Sequence, residues 1–502
     1  MFHVVVESGM PERIPELLEN FATAELKLEQ LEMPGDAQLG DRPIHIAAKM
    51  GLIKTIKTLC SLGAGVDSPN QQLDTALIIA CRMRNFDCVK TLLELGADVT
   101  KRGCNGRNAL HIAAMTGDDE IFNFLLDNVI DCQWLLQAKD FSEEGNSCIH
   151  FAAIGNHVNI GRTIRAKYPE AVYALSAIKY SAIHLAAASG SLQFLQWLVD
   201  DCEVHVDDVG WLDKTPLHKA AENGHVCIAE FLITKGADLN RYELQIGGTP
   251  LHLSAMYGKY DMCRYLLEVG AHLNQETFMF HLLPIHVAAV HGQIDVIELF
   301  LNVEYAKIDV KGKLGRTPLM LACGAGHSHT VEYLCSRGAR LEERDDHLKA
   351  TALHFSCWYG QLGVIEQLLR LGADRRARDA IGDTPLHWAC QAKQVKTAAF
   401  LMTRGAETGA KDVRMGRTPL HDAASTGSIE IVRLLLTRAD IQVVDMENWA
   451  TALHLSAWFG HASIVDLLLK RRARIEAQDR NGLTAVHCKL IIKTKTFHFL
   501  LI

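Results

Sequence analysis

One histidine recurs along this chain at a nearly constant interval, and that interval limits the fold more than any composition figure does. It falls at His3, His45, His111, His150, His184, His218, His252, His286, His354, His387, His421, His454 and His487, with Ile78 and Met320 in the two vacant places. From His150 to Met320 and on to His354 the step is 34 residues six times running. The steps from His3 to His45 (42) and from His111 to His150 (39) are longer. A fixed period of this size means stacked supersecondary units, none of which can bury its apolar face alone. The 502 residues therefore form one array, in place of the about three globular domains that length alone suggests.

Residues 215–240 carry the unit in full. Thr215 suits a helix N-cap, and Pro216 suits the first helical position, where no N–H is needed. Leu217, Ala220 and Ala221 make a short apolar face, and the paired alanines keep the helix thin enough for close stacking. Gly224, six residues past the histidine, closes the helix where positive φ is wanted. Val226, Ile228, Ala229, Leu232 and Ile233 give a second helix its buried stripe. Gly236-Ala237-Asp238 then turns the chain away. Glycine returns at the first of these places from Gly9 to Gly460, and at the second from Gly63 to Gly405.

With Thr-Pro-Leu-His at 215–218, and Thr-Pro-Leu again from Thr249, Thr317, Thr384 and Thr418, the chain resembles ankyrin repeat proteins over about residues 2–488. The resemblance implies an all-α ankyrin-repeat solenoid of stacked helix–turn–helix units with projecting hairpin loops. The histidine register fixes fifteen starts, the first clipped and the last incomplete. The sequence divides into a clipped repeat and acidic connection (1–41), repeats (42–126), irregular repeats (127–210), regular repeats (211–488) and a non-repeat tail (489–502). The stretch Leu455–His461, with Gly482-Leu483-Thr484, also resembles ankyrin proteins that carry a C-terminal death domain. The apolar tail lacks the polar outer face that caps a solenoid, so the chain is expected to be a truncated or alternatively spliced product.

The irregular units start at His111, His150 and His184, where Val129, Tyr168 and Cys202 replace the second glycine. Trp134, Tyr168, Tyr173, Tyr180 and Trp197 gather there. Two readings stand, a bend with repacked aromatics or a bulge for a partner.

Chemistry has little to work with. The 24 histidines invite a metal or catalytic role, but one anchor per unit spreads them along the array, while metal ligands must lie about 2.0–2.1 Å from one ion. Each anchor is expected to fix its loop through its ring nitrogens. His327 and His329 form the tightest pair and are expected to be solvated. Paired loop acids such as Glu143-Glu144, Asp207-Asp208 and Asp345-Asp346 are commonplace in such positions. No phosphate loop, nucleophile elbow or kinase signature is present. The 14 cysteines have no CxxC pair and suit small core positions in a reducing compartment. No apolar run approaches the roughly 18 residues of a membrane span. Net charge is −8, although residues 337–480 hold 21 Lys and Arg against 18 Asp and Glu. The basic clusters around Arg375 and Arg471 are expected to be solvated turns.

For ankyrin proteins the usual contact surface is the loop tips and the outer side of the first helix. Carried onto this register, the partner-binding candidates are Trp211, Met256, Tyr257, Phe280, Trp358, Tyr359, Trp458 and Phe459, with Met279 beside them. Equivalent places elsewhere hold Glu222-Asn223, Ser425-Thr426 or Lys49. Aromatic and Met side chains are enriched at interface cores, and a row of them suits an apolar peptide or helix. The competing reading has them leaning on the next repeat. The resemblance also implies Asn240 and Asn274 as positions for an asparaginyl hydroxylase. The expected function is a non-enzymatic, cytoplasmic protein–protein interaction scaffold with protein partners, no nucleic acid and no cofactor. The alternative is the cytosolic ankyrin array of a larger channel, kinase or death-domain adaptor.

Overall fold

In the computed structural model, residues 2–19, 29–34, 40–129, 132–303 and 306–487 are described. The tail 489–502 lies outside them, as does most of the acidic connection. The described residues form helices in sequential pairs and no extended strand; a single isolated bridge joins Val444 and Thr451. The chain divides into two units, residues 1–245 and 246–502, each an all-α stack of helix pairs.

The pair Pro216–Asn223 and Val226–Thr234 shows why the sequence folds this way. Thr215 is extended (φ −90°, ψ 168°) and its hydroxyl accepts the His218 N–H. Gly224 ends the helix at φ +83°, a backbone region that favours glycine. Leu217, Ala220, Ala221, Ile228, Ala229 and Leu232 are buried. Within each unit, first helices pack on neighbouring first helices and second helices on neighbouring second helices. Burial of this kind contributes about 25 cal/mol per Å² of apolar surface, and it is shared between neighbours, so no repeat is stable alone.

In the irregular stretch a short helix, Gln133–Gln137, takes up the extra residues before His150, and a 3₁₀ turn, Pro169–Tyr173, follows the next pair. The aromatics divide. Tyr180 and Trp197 are buried, with Trp197 packed edge-on to Phe194 at 5.1 Å, whereas Trp134 and Tyr173 are exposed.

Candidate partner-binding face

The anchor histidines from His45 to His454 are buried, and most work as staples between repeats. In His252, Nδ1 accepts the Thr249 N–H at 3.1 Å, and Nε2 meets the Leu282 carbonyl in the next loop at 3.1 Å. The same pair of contacts recurs at His354, with Thr351 and Asp383, and at His421, with Thr418 and Ala450. Accepting at Nδ1 places the ring proton on Nε2. Burial holds His111, His150, His252, His286, His354, His387 and His421 neutral, with pKa values lowered to about 4. Each of these seven anchors therefore fixes the following repeat's loop as well as its own cap.

A second staple runs backward, at a register that sequence reading passed over. Seven residues after the anchor place, His225, His327 and His461 reach the carbonyls of Ala188, Val290 and Ser425 in the preceding repeat at 2.8–3.0 Å. Gln293, Gln361 and Gln394 donate in the same way to Met256, Gly324 and Trp358. The expectation that His327 and His329 are a solvated pair is corrected here. His329 is exposed, but His327 is half-buried and bonded to Val290. Its signal in the sequence was the polar residue that follows most of the first glycines.

The loops owe their shape to a buried aspartate. Asp345 accepts the N–H groups of Ala350 (2.7 Å) and Leu348 (3.3 Å). Asp379 accepts those of Ile381 and Asp383, Asp412 those of Met415, Gly416 and Arg417, and Asp445 those of Asn448 and Ala450. Of these acids, Asp345 belongs to the paired loop acids that sequence marks as commonplace. All of them are buried, and their carboxylates satisfy donors that a tight loop leaves orphaned.

One anchor histidine comes together with two buried acids. Ligand atoms of Asp383, His387 and Asp422 lie within 4.8 Å of one another. Their bonding is already complete within the protein. His387 Nδ1 accepts the Thr384 N–H at 3.0 Å, and Nε2 meets the Arg417 carbonyl at 3.3 Å. The Gln391 amide donates to Asp383 at 2.7 Å and to Asp422 at 3.1 Å. Burial, reinforced by the Asp379 and Asp412 carboxyls, pushes Asp383 up to about 7, and burial with Asp383 beside it pushes Asp422 well above the carboxylate range. Two close buried carboxyls cannot both ionise cheaply.

The partner-binding candidates sit on two levels. Tyr257, Trp358, Tyr359, Trp458 and Phe459 lie at the C-terminal ends of first helices and are exposed. Met256 beside them is half-buried. Trp211 and Phe280 are exposed on loop tips. Packing and exposure coexist: Trp358 is 40% exposed while its ring meets Trp388 edge-on at 5.7 Å. Tyr359, 57% exposed, rests one edge near Gly324 of the preceding repeat. Trp458 and Phe459 line an open cleft of about 440 Å³ with Arg417, Asn448 and Leu455. Asn274 is exposed and Asn240 half-buried, each in the turn after a second helix.

The sequence profile for Ankyrin repeats (3 copies) matches residues 2–103, 74–135, 183–277, 285–379, 342–412 and 364–445, and that for a single Ankyrin repeat matches 448–480. The chain belongs to the ankyrin repeat family. Relatives in that family are diverse. Transient receptor potential cation channel subfamily A member 1 of Homo sapiens is 28% identical over 86% of this chain and 39% of its own length. NF-kappa-B inhibitor delta of Mus musculus is 31% identical over 26% of this chain and 47% of its own length. Tyrosine-protein kinase HTK16 of Hydra vulgaris is 36% identical over 24% of this chain and 16% of its own length. The chain thus spans less than half the length of each of these relatives. Ankyrin repeats are interaction modules, and no helix among the described residues is long and apolar enough to cross a membrane.

Proposed function

We propose that the chain is a non-enzymatic, cytoplasmic scaffold that binds protein partners through the aromatic ends of its first helices and its loop tips. The observation that carries this is the exposure of Tyr257, Trp358, Tyr359, Trp458 and Phe459 at two adjacent registers, where framework requirements call for no large apolar group. Interfaces concentrate their energy in such residues. Most anchor histidines and the buried loop acids are bonded into the loops and caps of the repeats, which supports reading the exposed surface as the place of recognition. Replacing Tyr257, Tyr359 and Phe459 by Ser tests it. Partner capture should fall by at least about tenfold, as loss of about 1.4 kcal/mol or more of binding requires, with the melting temperature close to the parent's. Lost melting temperature with capture intact would make them packing residues.

A second reading is the ankyrin array of a larger protein. It is favoured by the match to the human channel over 86% of this chain but 39% of that protein's length. An antibody to residues 211–240 settles it by the mass of the protein it detects in cells: a band well above 55.6 kDa supports the reading, and a band at that mass counts against it.

A further inference from the structure

Because the loop aspartates turn inward, the tips at 378–383 and 411–417 lose negative charge while keeping their positive charge, and the next tip keeps one exposed acid, Glu447. Across the adjacent tips at 378–383 and 411–417, Asp379, Asp383 and Asp412 are buried, whereas Arg378, Lys411 and Arg414 are exposed. The same rim carries Ile381, Val413 (70% exposed), Met446 (67% exposed) and Trp449. These tips are joined in single file: the Val413 N–H donates to the Ile381 carbonyl at 2.8 Å, and the Met446 N–H to that of Met415 at 2.6 Å. Val413 lies over Gly382, where an added Cβ would stand 2.7 Å from its backbone nitrogen, and Met446 lies over Gly416 in the same fashion.

Trp449 supplies an independent pointer. Five residues before the anchor, the backbone turns through positive φ, and Gly247, Gly315, Gly382, Gly416 and Gly482 take that place within this unit. Trp449 takes it at φ +53° with its side chain exposed. A bulky side chain adopts that conformation only at a cost. Residues held there against strain gather at ligand sites. Polar residues such as His281 and Lys349 also stand at this register, and Leu73 does in the other unit; Trp449 is the large apolar one bordering the basic rim.

We infer that this rim binds an acidic polypeptide segment carrying large apolar side chains. Lys411 and Arg414 meet its carboxylates, and Val413, Met446 and Trp449 take its apolar groups. A single file of tips suits a linear chain. The inference rests on the reading of this chain as a protein scaffold, but it uses residues separate from the helix-end aromatics. The test is selection of phage-displayed random peptides on the full chain, followed by affinity measurement of an enriched peptide. Survivors should be rich in Asp, Glu, Phe, Leu and Trp. Trp449→Gly should weaken the enriched peptide by about tenfold and at the same time raise the melting temperature, a combination that a packing residue does not give. Lys411→Glu with Arg414→Glu should abolish binding, and Lys90→Glu, an exposed helix position in the other unit, should leave it unchanged.

Neutral or basic survivors, or none, overturn the inference. So does a Trp449→Gly protein that binds normally or melts lower. Phosphatidylserine vesicles that pellet the chain and displace the peptide would assign the rim to a lipid surface and overturn it as well. If Tyr359→Ser removes the peptide and Trp449→Gly does not, this site falls while the scaffold reading stands.

Discussion

At the scale of the residue, the first-helix glycine answers two demands at once. Gly326 has φ +87°, and a Cβ added there would run into the Gln361 side-chain amide. That amide is the backward staple, donating to Gly324. Gly326→Ala should therefore cost more than the roughly 1–2 kcal/mol of left-handed strain, because the staple must also move. Gly338 has a similar φ of +92° with nothing within 4 Å of an added Cβ, so Gly338→Ala should cost the strain alone. Thermal melting of the two variants side by side checks this. The sequence marks both glycines equally, since glycine spacing records backbone conformation. The neighbour that makes Gly326 stricter comes from the next repeat, 35 residues on, and is visible only once the repeats are stacked.

At the scale of the element, the loop is a small closed structure organised by one carboxylate. Asp345→Ala should leave the Ala350 and Leu348 N–H groups without their partner, at about 1–3 kcal/mol for a buried donor left unsatisfied. Its effect should be local. Amide exchange should quicken at Ala350, while the helix Ala352–Tyr359, held by the His354 staple, keeps its protection. Uniformly faster exchange through both would show that loop and helix open together. The helices themselves were legible from caps, glycines and apolar spacing. The inward turn of one acid from pairs such as Asp345-Asp346 was not, because two neighbouring aspartates are chemically alike until the backbone donors around them are placed.

At the scale of the whole molecule, pH links the stacked polar groups to stability in two opposite directions. An unfolded histidine takes its proton near 6.5, whereas seven anchors titrate at about 4 when folded. Between those values the unfolded chain binds more protons, so stability falls as pH drops. The loss reaches about 1.4 kcal/mol per pH unit for each anchor exposed. Asp383 has the reverse sign: its pKa is 3.8 unfolded and about 7 folded. Between these the folded chain binds more protons, and its contribution is lost as pH rises towards 7 and above. Asp422→Asn removes one of the two facing carboxyls and keeps an oxygen for Gln391. Melting between pH 5.5 and 8 should show the variant gaining on the parent as pH rises. A constant offset across that range would mean that Asp422 does not change protonation there.

The sequence by itself determined the repeat, its length, the helix pairs and their caps, because these depend on spacing within a single unit of 33 or 34 residues. It also placed the large aromatics at their register. Tertiary structure decided which polar groups are spent on stacking and which remain at the surface: the forward and backward staples, the inward aspartates, the Asp383–Asp422 pair and the basic, apolar rim they leave behind. The physical reason is that each of these depends on atoms of the neighbouring repeat or on which way a loop carboxylate turns, and linear spacing carries neither.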